Sequence, residues 1–117
     1  MATRSFRDLV VWQRAMELAI LLYKLTQQFP RDEIYGLTSQ LRRAGVSVAS
    51  NIAEGYGRGT KGEYRSFLGI ARASTLEIQT QLTISRELGF GEEAQISQAA
   101  SLAEETSSML WTMSHRL

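Results

Sequence analysis

The chain of 117 residues contains no cysteine, a single proline and a single histidine. Without cysteine there is neither a disulfide framework nor a thiolate metal site, which fits a reducing compartment. The lone histidine cannot supply the paired Glu-x-x-His ligands of a di-iron bundle, and that motif does not occur. Long apolar runs are missing too. The best candidate, Leu18 to Leu22, gives way to Tyr23 and Lys24, whereas a membrane-spanning helix needs about 18 uninterrupted apolar residues. The opening MATRSFRDLVVWQR has no apolar block or small-residue cleavage site of a secretory leader. A cytoplasmic protein without a membrane partner is expected. Strand alternation is also absent, and Val46-Ser47-Val48-Ala49 is too short to challenge a helical reading.

What is present suffices for one modest core in one domain: apolar residues make up 44% and charged residues 21%. The formal net charge of +1 conceals an uneven distribution. Residues 42–72 hold Arg42, Arg43, Arg58, Lys61, Arg65 and Arg72 against Glu54 and Glu63. Residues 73–117 hold Arg86 and Arg116 against six glutamates. Attraction to anions should therefore be local to the middle of the chain.

Apolar periodicity predicts helices over about 6–28, 32–54, 61–88 and 92–116. Ser5 and Asp8 have capping-box spacing, and Phe29-Pro30 closes the first helix because a residue before proline leaves helical geometry. The second helix carries Gly36 and Gly45 inside it, where each should permit close approach of a neighbour, and Gly55 is expected as its left-handed terminal residue. Thr60 and Glu63 cap the third helix, and Gly89 follows its end. Four helices of similar length on short loops predict an all-α, antiparallel up-down-up-down four-helix bundle.

The organising stretch is Leu37 to Gly62. Leu37, Leu41, Ala44, Val48 and Ile52 form its apolar stripe, and beside it run Gln40, Arg43, Ser47, Asn51 and Glu54. Amides and a hydroxyl at three of these five positions predict a polar seam against other protein, joined by Ser74 and Glu77 of the third helix.

Few motifs carry chemistry. Gly57-Arg58-Gly59-Thr60-Lys61-Gly62 spells G-x-G-x-x-G, but a helix precedes it where a dinucleotide fingerprint needs a strand. It reads as a helix–helix loop whose Arg58 and Lys61 suit an anion. His115 lacks the arginine that an Arg-x4-6-His nuclease motif requires, since residues 108–111 are Ser, Met, Leu and Trp; it reads as a surface residue in a fraying end. Glu54 and Glu77 have no nucleophile or metal cluster beside them, so each is expected to be neutralised by Arg43 or another basic group, or hydrogen-bonded to Asn51 and Ser74. Trp12 and Tyr23 fall on an apolar stripe and read as core. No catalytic residue, metal or cofactor is expected.

Four blocks together resemble a known family. They are Phe6-x-x-Leu9-x-x-Trp12; Phe29-Pro30-x-x-Glu33-x-Tyr35-Gly36-Leu37-x-x-Gln40-x-Arg42-Arg43-Ala44; Ser47-x-x-x-Asn51-Ile52-Ala53-Glu54-Gly55-x-Gly57-Arg58; and Ala71-x-x-Ser74-x-x-Glu77. They are similar to the 23S rRNA intervening-sequence proteins, also called four-helix bundle proteins, over about residues 6–90. The Asn51–Arg58 block is the most specific, and the fourth helix matches in character only. The family name records a location, open reading frames in insertions of bacterial ribosomal RNA genes, and no activity. Its members are similar to the accessory protein of diversity-generating retroelements, a basic ring-shaped bundle that associates with a reverse transcriptase and nucleic acid. The resemblance implies a homo-oligomeric, pentameric ring and a non-enzymatic adaptor contacting RNA or an RNA-handling protein. Arg42, Arg58, Lys61, Arg65 and Arg72 are the candidate contacts. The alternative is a purely protein-binding scaffold with structural arginines.

Overall fold

Helical periodicity resolves into α1 (Val10–Thr26), α2 (Leu37–Tyr56), α3 (Lys61–Glu87) and α4 (Glu93–Arg116) in a computed structural model that describes residues 5–117. The fold is an all-α four-helix bundle. Each helix packs on its sequence neighbour and α4 returns against α1, as an up-down-up-down order requires. The long axis of 43 Å is set by the 27 residues of α3, which span about 40 Å at 1.5 Å per residue.

The first helix does not begin at residue 6. The Ser5 hydroxyl accepts from the Arg7 amide at 3.1 Å, which closes a separate 3-10 turn over Phe6–Asp8, and Leu9 then extends before α1 starts. That break lets the Phe6 ring fold edge-on against Trp12 at 5.2 Å. The buried face of α1 is Val11, Ala15, Leu18, Leu22 and Leu25. Trp12 and Met16 are half-buried at its margin. Tyr23, expected in the core, is 44% exposed, because the face is centred away from it.

The second helix also starts later than its pattern implied. Arg31–Glu33 form a second 3-10 turn, and the Glu33 carboxylate turns back to accept from the Leu37 amide at 3.1 Å. Gly36 therefore stands before α2 and not within it. Gly45 does lie inside, and a Cβ there would come within 2.9 Å of Leu22 Cδ1 and 3.3 Å of Ala19 Cα. Gly55 is helical rather than left-handed. A Cβ on it would meet Phe67 Cβ at 2.7 Å, so its value is close approach of α2 to α3. The left-handed glycines are Gly89 and Gly91, which turn the chain from α3 to α4.

Thr60 caps α3 as its spacing predicted, accepting from the Glu63 amide at 3.1 Å. Leu68, Ala71, Thr75, Ile78 and Leu82 of α3 and Ile96, Ala99, Ala103, Thr106 and Leu110 of α4 are buried, and the two helices pack on each other. Full burial of each leucine or isoleucine contributes about 1.5–3 kcal/mol. Antiparallel order gathers the 3-10 turn of Phe6–Asp8, the α2–α3 turn and the last turn of α4 at one end. Phe29 and Phe90 meet at the other, ring centroids 5.7 Å apart.

Candidate functional site

The polar seam is closed in its middle, at Ser47, Asn51 and Ser74, and again at Gln40. Across α2 and α3 the Ser74 hydroxyl donates to Ser47 Oγ at 3.0 Å, while Asn51 Nδ2 donates to the Ser47 carbonyl at 2.8 Å and its hydroxyl at 3.0 Å. Gln81, buried on α3, donates from Nε2 to Gln40 Oε1 at 3.2 Å. The seam's outer members stay in solvent: Gln40, Arg43, Glu54 and Glu77 are exposed. Arg43 and Glu77 line a groove of about 390 Å³ with Gln40, Ala44 and Ser47. Neither has a hydrogen-bond or ion-pair partner among the described residues. The expectation that each carboxylate is neutralised by Arg43 or another basic group, or hydrogen-bonded to Asn51 and Ser74, thus fails for Glu77 among the described residues. Glu54 is neutralised as expected, by Arg58, four residues on and just past the end of α2, at 3.1 Å.

The five candidate basic residues do not form one cluster. Arg42 is structural: its Nε donates to Thr26 Oγ1 at 2.9 Å, its Nη2 to the Tyr23 carbonyl at 3.4 Å, and its guanidinium lies 4.7 Å from the Tyr23 ring centroid. It ties α2 to the end of α1, where a positive charge also suits the helix dipole. Arg65 plays the same part for α4, donating to the Ser114 and Leu117 carbonyls at 3.3 and 2.6 Å. Arg58 bridges Glu54 at 3.1 Å and Glu63 at 3.7 Å over the Phe67 ring. Lys61 is exposed with no partner among the described residues, and Arg72 lies partly buried between α3 and α4.

Arg58, Lys61 and Arg65 do share an end of the bundle, and the topology adds Arg7 and Arg116 to them. Asp8, Glu54 and Glu63 offset part of that charge. The opposite end holds Asp32, Glu33, Glu87, Glu92 and Glu93 against Lys24, Arg31 and Arg86. Counting charge along the chain missed Arg7 and Arg116 because they lie far from the basic middle segment. Folding the predicted helices antiparallel places them there.

His115 is exposed, yet α4 stays helical through Arg116 and the imidazole stacks on Trp111 with centroids 3.8 Å apart. Among the described residues no group of three His, Asp or Glu side chains is placed to hold a metal. No helix among them is long and apolar enough to cross a membrane. Among the described residues two titrations are displaced. Burial, followed by the neighbouring Tyr56, pushes the Tyr64 phenol up. The Arg14 guanidinium is raised by its hydrogen bond to Glu105 and by the charge of Glu17.

With this geometry in place, the sequence profile described as 23S rRNA-intervening sequence protein matches residues 7–112. The chain belongs to that family. The match runs well into α4, beyond the segment over which the motifs alone carried the likeness. A crystal structure of a protein with unknown function from the S23 ribosomal protein family of Bacteroides thetaiotaomicron superposes with a TM-score of 0.82. It is 19% identical, over 91% of this chain and 96% of that one, and at such identity the likeness is one of fold. No curated protein matches.

In this member of the 23S rRNA-intervening sequence family, five residues of the Asn51–Arg58 block have a structural explanation. Asn51 ties down Ser47, Ile52 is core, Glu54 and Arg58 pair across one turn, and Gly55 admits Phe67. Its most specific motif therefore builds the α2–α3 corner.

Proposed function

We propose that this protein is a non-enzymatic, homo-oligomeric adaptor that contacts RNA with the basic end of its bundle. The observation that carries this is the convergence of Arg58, Lys61 and Arg65 with Arg7 and Arg116 at one end. A monomer with that few cations, some already paired, binds a polyanion weakly. A ring, pentameric by the likeness to the retroelement accessory protein, repeats the patch and converts weak contacts into avidity. The pairing of Glu54 with Arg58 supports a structural use of that carboxylate rather than acid–base chemistry.

The test is a salt titration of binding to single-stranded RNA by the parent and by Arg58→Ala with Lys61→Ala. The double variant should bind more weakly, and the slope of log K against log salt should fall by about 1.4, at about 0.7 per lost phosphate contact. Unchanged affinity at low salt overturns the assignment. A second reading, a scaffold that binds only protein, is favoured by the internal engagement of Arg42 and Arg65. Co-purification of one stoichiometric protein with no nucleic acid would select it.

A further inference from the structure

Arg72 points to a site of its own. It lines a groove of about 430 Å³ between α3 and α4 with Ser107, Ser108, Trp111 and Thr112. Its Nε is shielded from solvent and bonded to nothing among the described residues, and no carboxylate lies within ion-pair distance of its guanidinium. An unsatisfied donor on a charged group is expensive, so Arg72 is short of an acceptor.

The hydroxyls around it are uncommitted as well. Elsewhere in the bundle Thr26, Thr80, Thr83, Ser85 and Thr106 turn back to the carbonyl four residues earlier, while Thr38, Ser39, Ser50, Ser66, Ser101 and Ser114 do not. Ser107, Ser108 and Thr112 have no such bond, although Ser107 is buried. One guanidinium fork and three free hydroxyls form a donor set matched to a tetrahedral oxyanion. Beside them Trp111 is 50% exposed, with its indole stacked on the His115 ring. Half-exposed indole next to an oxyanion site suits a planar base.

We infer that this groove binds a nucleotide, with its phosphate on Arg72 and the Ser107, Ser108 and Thr112 hydroxyls and its base against Trp111. Glu105 is engaged by Arg14, while Glu104 lines the adjoining hollow with Ser101 and Ser108 and opposes an anion there. Arg65 lies two turns from Arg72 on α3, so the groove lies about 10 Å along the helix from a residue of the basic end. The nucleotide is therefore either free or one unit of a strand. Only the second source rests on the RNA reading.

Trp12→Phe leaves Trp111 as the sole indole of the full chain, since the sequence has two tryptophans. Titrating that variant with AMP should quench Trp111 fluorescence saturably, at least tenfold more tightly than inorganic phosphate. Arg72→Gln should weaken AMP at least tenfold and Thr112→Val several-fold, Glu104→Gln should tighten it, and Lys61→Ala should leave it unchanged. Circular dichroism checks each fold, and Thr112→Val carries the test if Arg72→Gln does not fold. No saturable response to AMP, equal affinity for phosphate, or AMP binding untouched by both groove variants overturns the proposal. A short single-stranded RNA separates the sources. If Arg72→Gln also weakens RNA, the strand supplies the nucleotide. If AMP binds and RNA does not, the groove takes a free nucleotide and the basic-end reading fails alone.

Discussion

At the scale of single residues, charge proved a poor guide to purpose. Arg42 and Lys61 look alike in a charge count, yet Arg42 holds Thr26 and the α1 terminus while Lys61 is held by none of the described residues. Arg42→Ala should therefore lower stability by about 1–2 kcal/mol in urea denaturation, the range for losing hydrogen bonds from a charged donor that is partly exposed. RNA affinity should not change, and a selective loss of RNA binding at full stability would reverse the assignment. Tyr64 gives a second residue-level expectation. Its phenol is raised by burial, so the folded state disfavours the phenolate. Stability is then undiminished below the ordinary tyrosine value of about 10. It declines as pH rises from there through the higher folded value, because the unfolded chain gives up its proton first. Urea midpoints measured across that alkaline limb should fall less steeply for Tyr64→Phe than for the parent.

At the scale of elements, long periodic segments were legible and their ends were not. All four helices stand where apolar spacing placed them, because burying a stripe of that period leaves little alternative. The starts of α1 and α2 moved because short-range bonds outbid the pattern: Ser5 to the Arg7 amide, and Glu33 to the Leu37 amide. Glycine was half legible. Gly45 and Gly55 inside a helix imply a close neighbour, but the neighbour's identity is a tertiary fact. Gly55→Ala separates the two effects. Alanine should gain up to about 1 kcal/mol in helix propensity. Against it stands a Cβ contact of 2.7 Å with Phe67 Cβ, an atom next to the backbone that cannot swing aside. Overpacking of this kind costs about 1–3 kcal/mol. A net destabilisation, with a lower urea midpoint and unchanged m-value, is expected. A stabilised variant would show that the α2–α3 corner can open to admit a methyl group.

The whole molecule presents two unlike flanks of α3; the seam toward α2 was legible in the sequence, whereas the groove toward α4 was not, because it depends on which helix lies alongside. Toward α4 lies the Arg72 groove. Toward α2 lies the half-open seam, where Arg43 and Glu77 find no partner among the described residues. Ile70, Glu77 and Ile84 recur at sevens, so they share one stripe of about 21 Å along the outside of α3. Both isoleucines are large and open, at 50% and 45% exposed. Aliphatic surface bracketing an unpaired carboxylate, beside an unpaired arginine, is what a contact between copies needs: apolar area for affinity and charges for register. If the proposed self-assembly occurs, this flank is where the contact between copies is expected. Ile70→Asp with Ile84→Asp should shift the mass in light scattering from an oligomer to the 13.1 kDa chain, with the helical circular dichroism spectrum intact. A parent that is already monomeric removes the assembly altogether, and an oligomeric double variant moves the contact to another face. The same variant tests how the basic end works. Arg58 and Lys61 remain in place on the monomer, so a patch sufficient by itself would keep its RNA affinity. If repetition around a ring supplies the avidity, affinity should fall by about 10²–10⁴-fold although no residue at the basic end has changed.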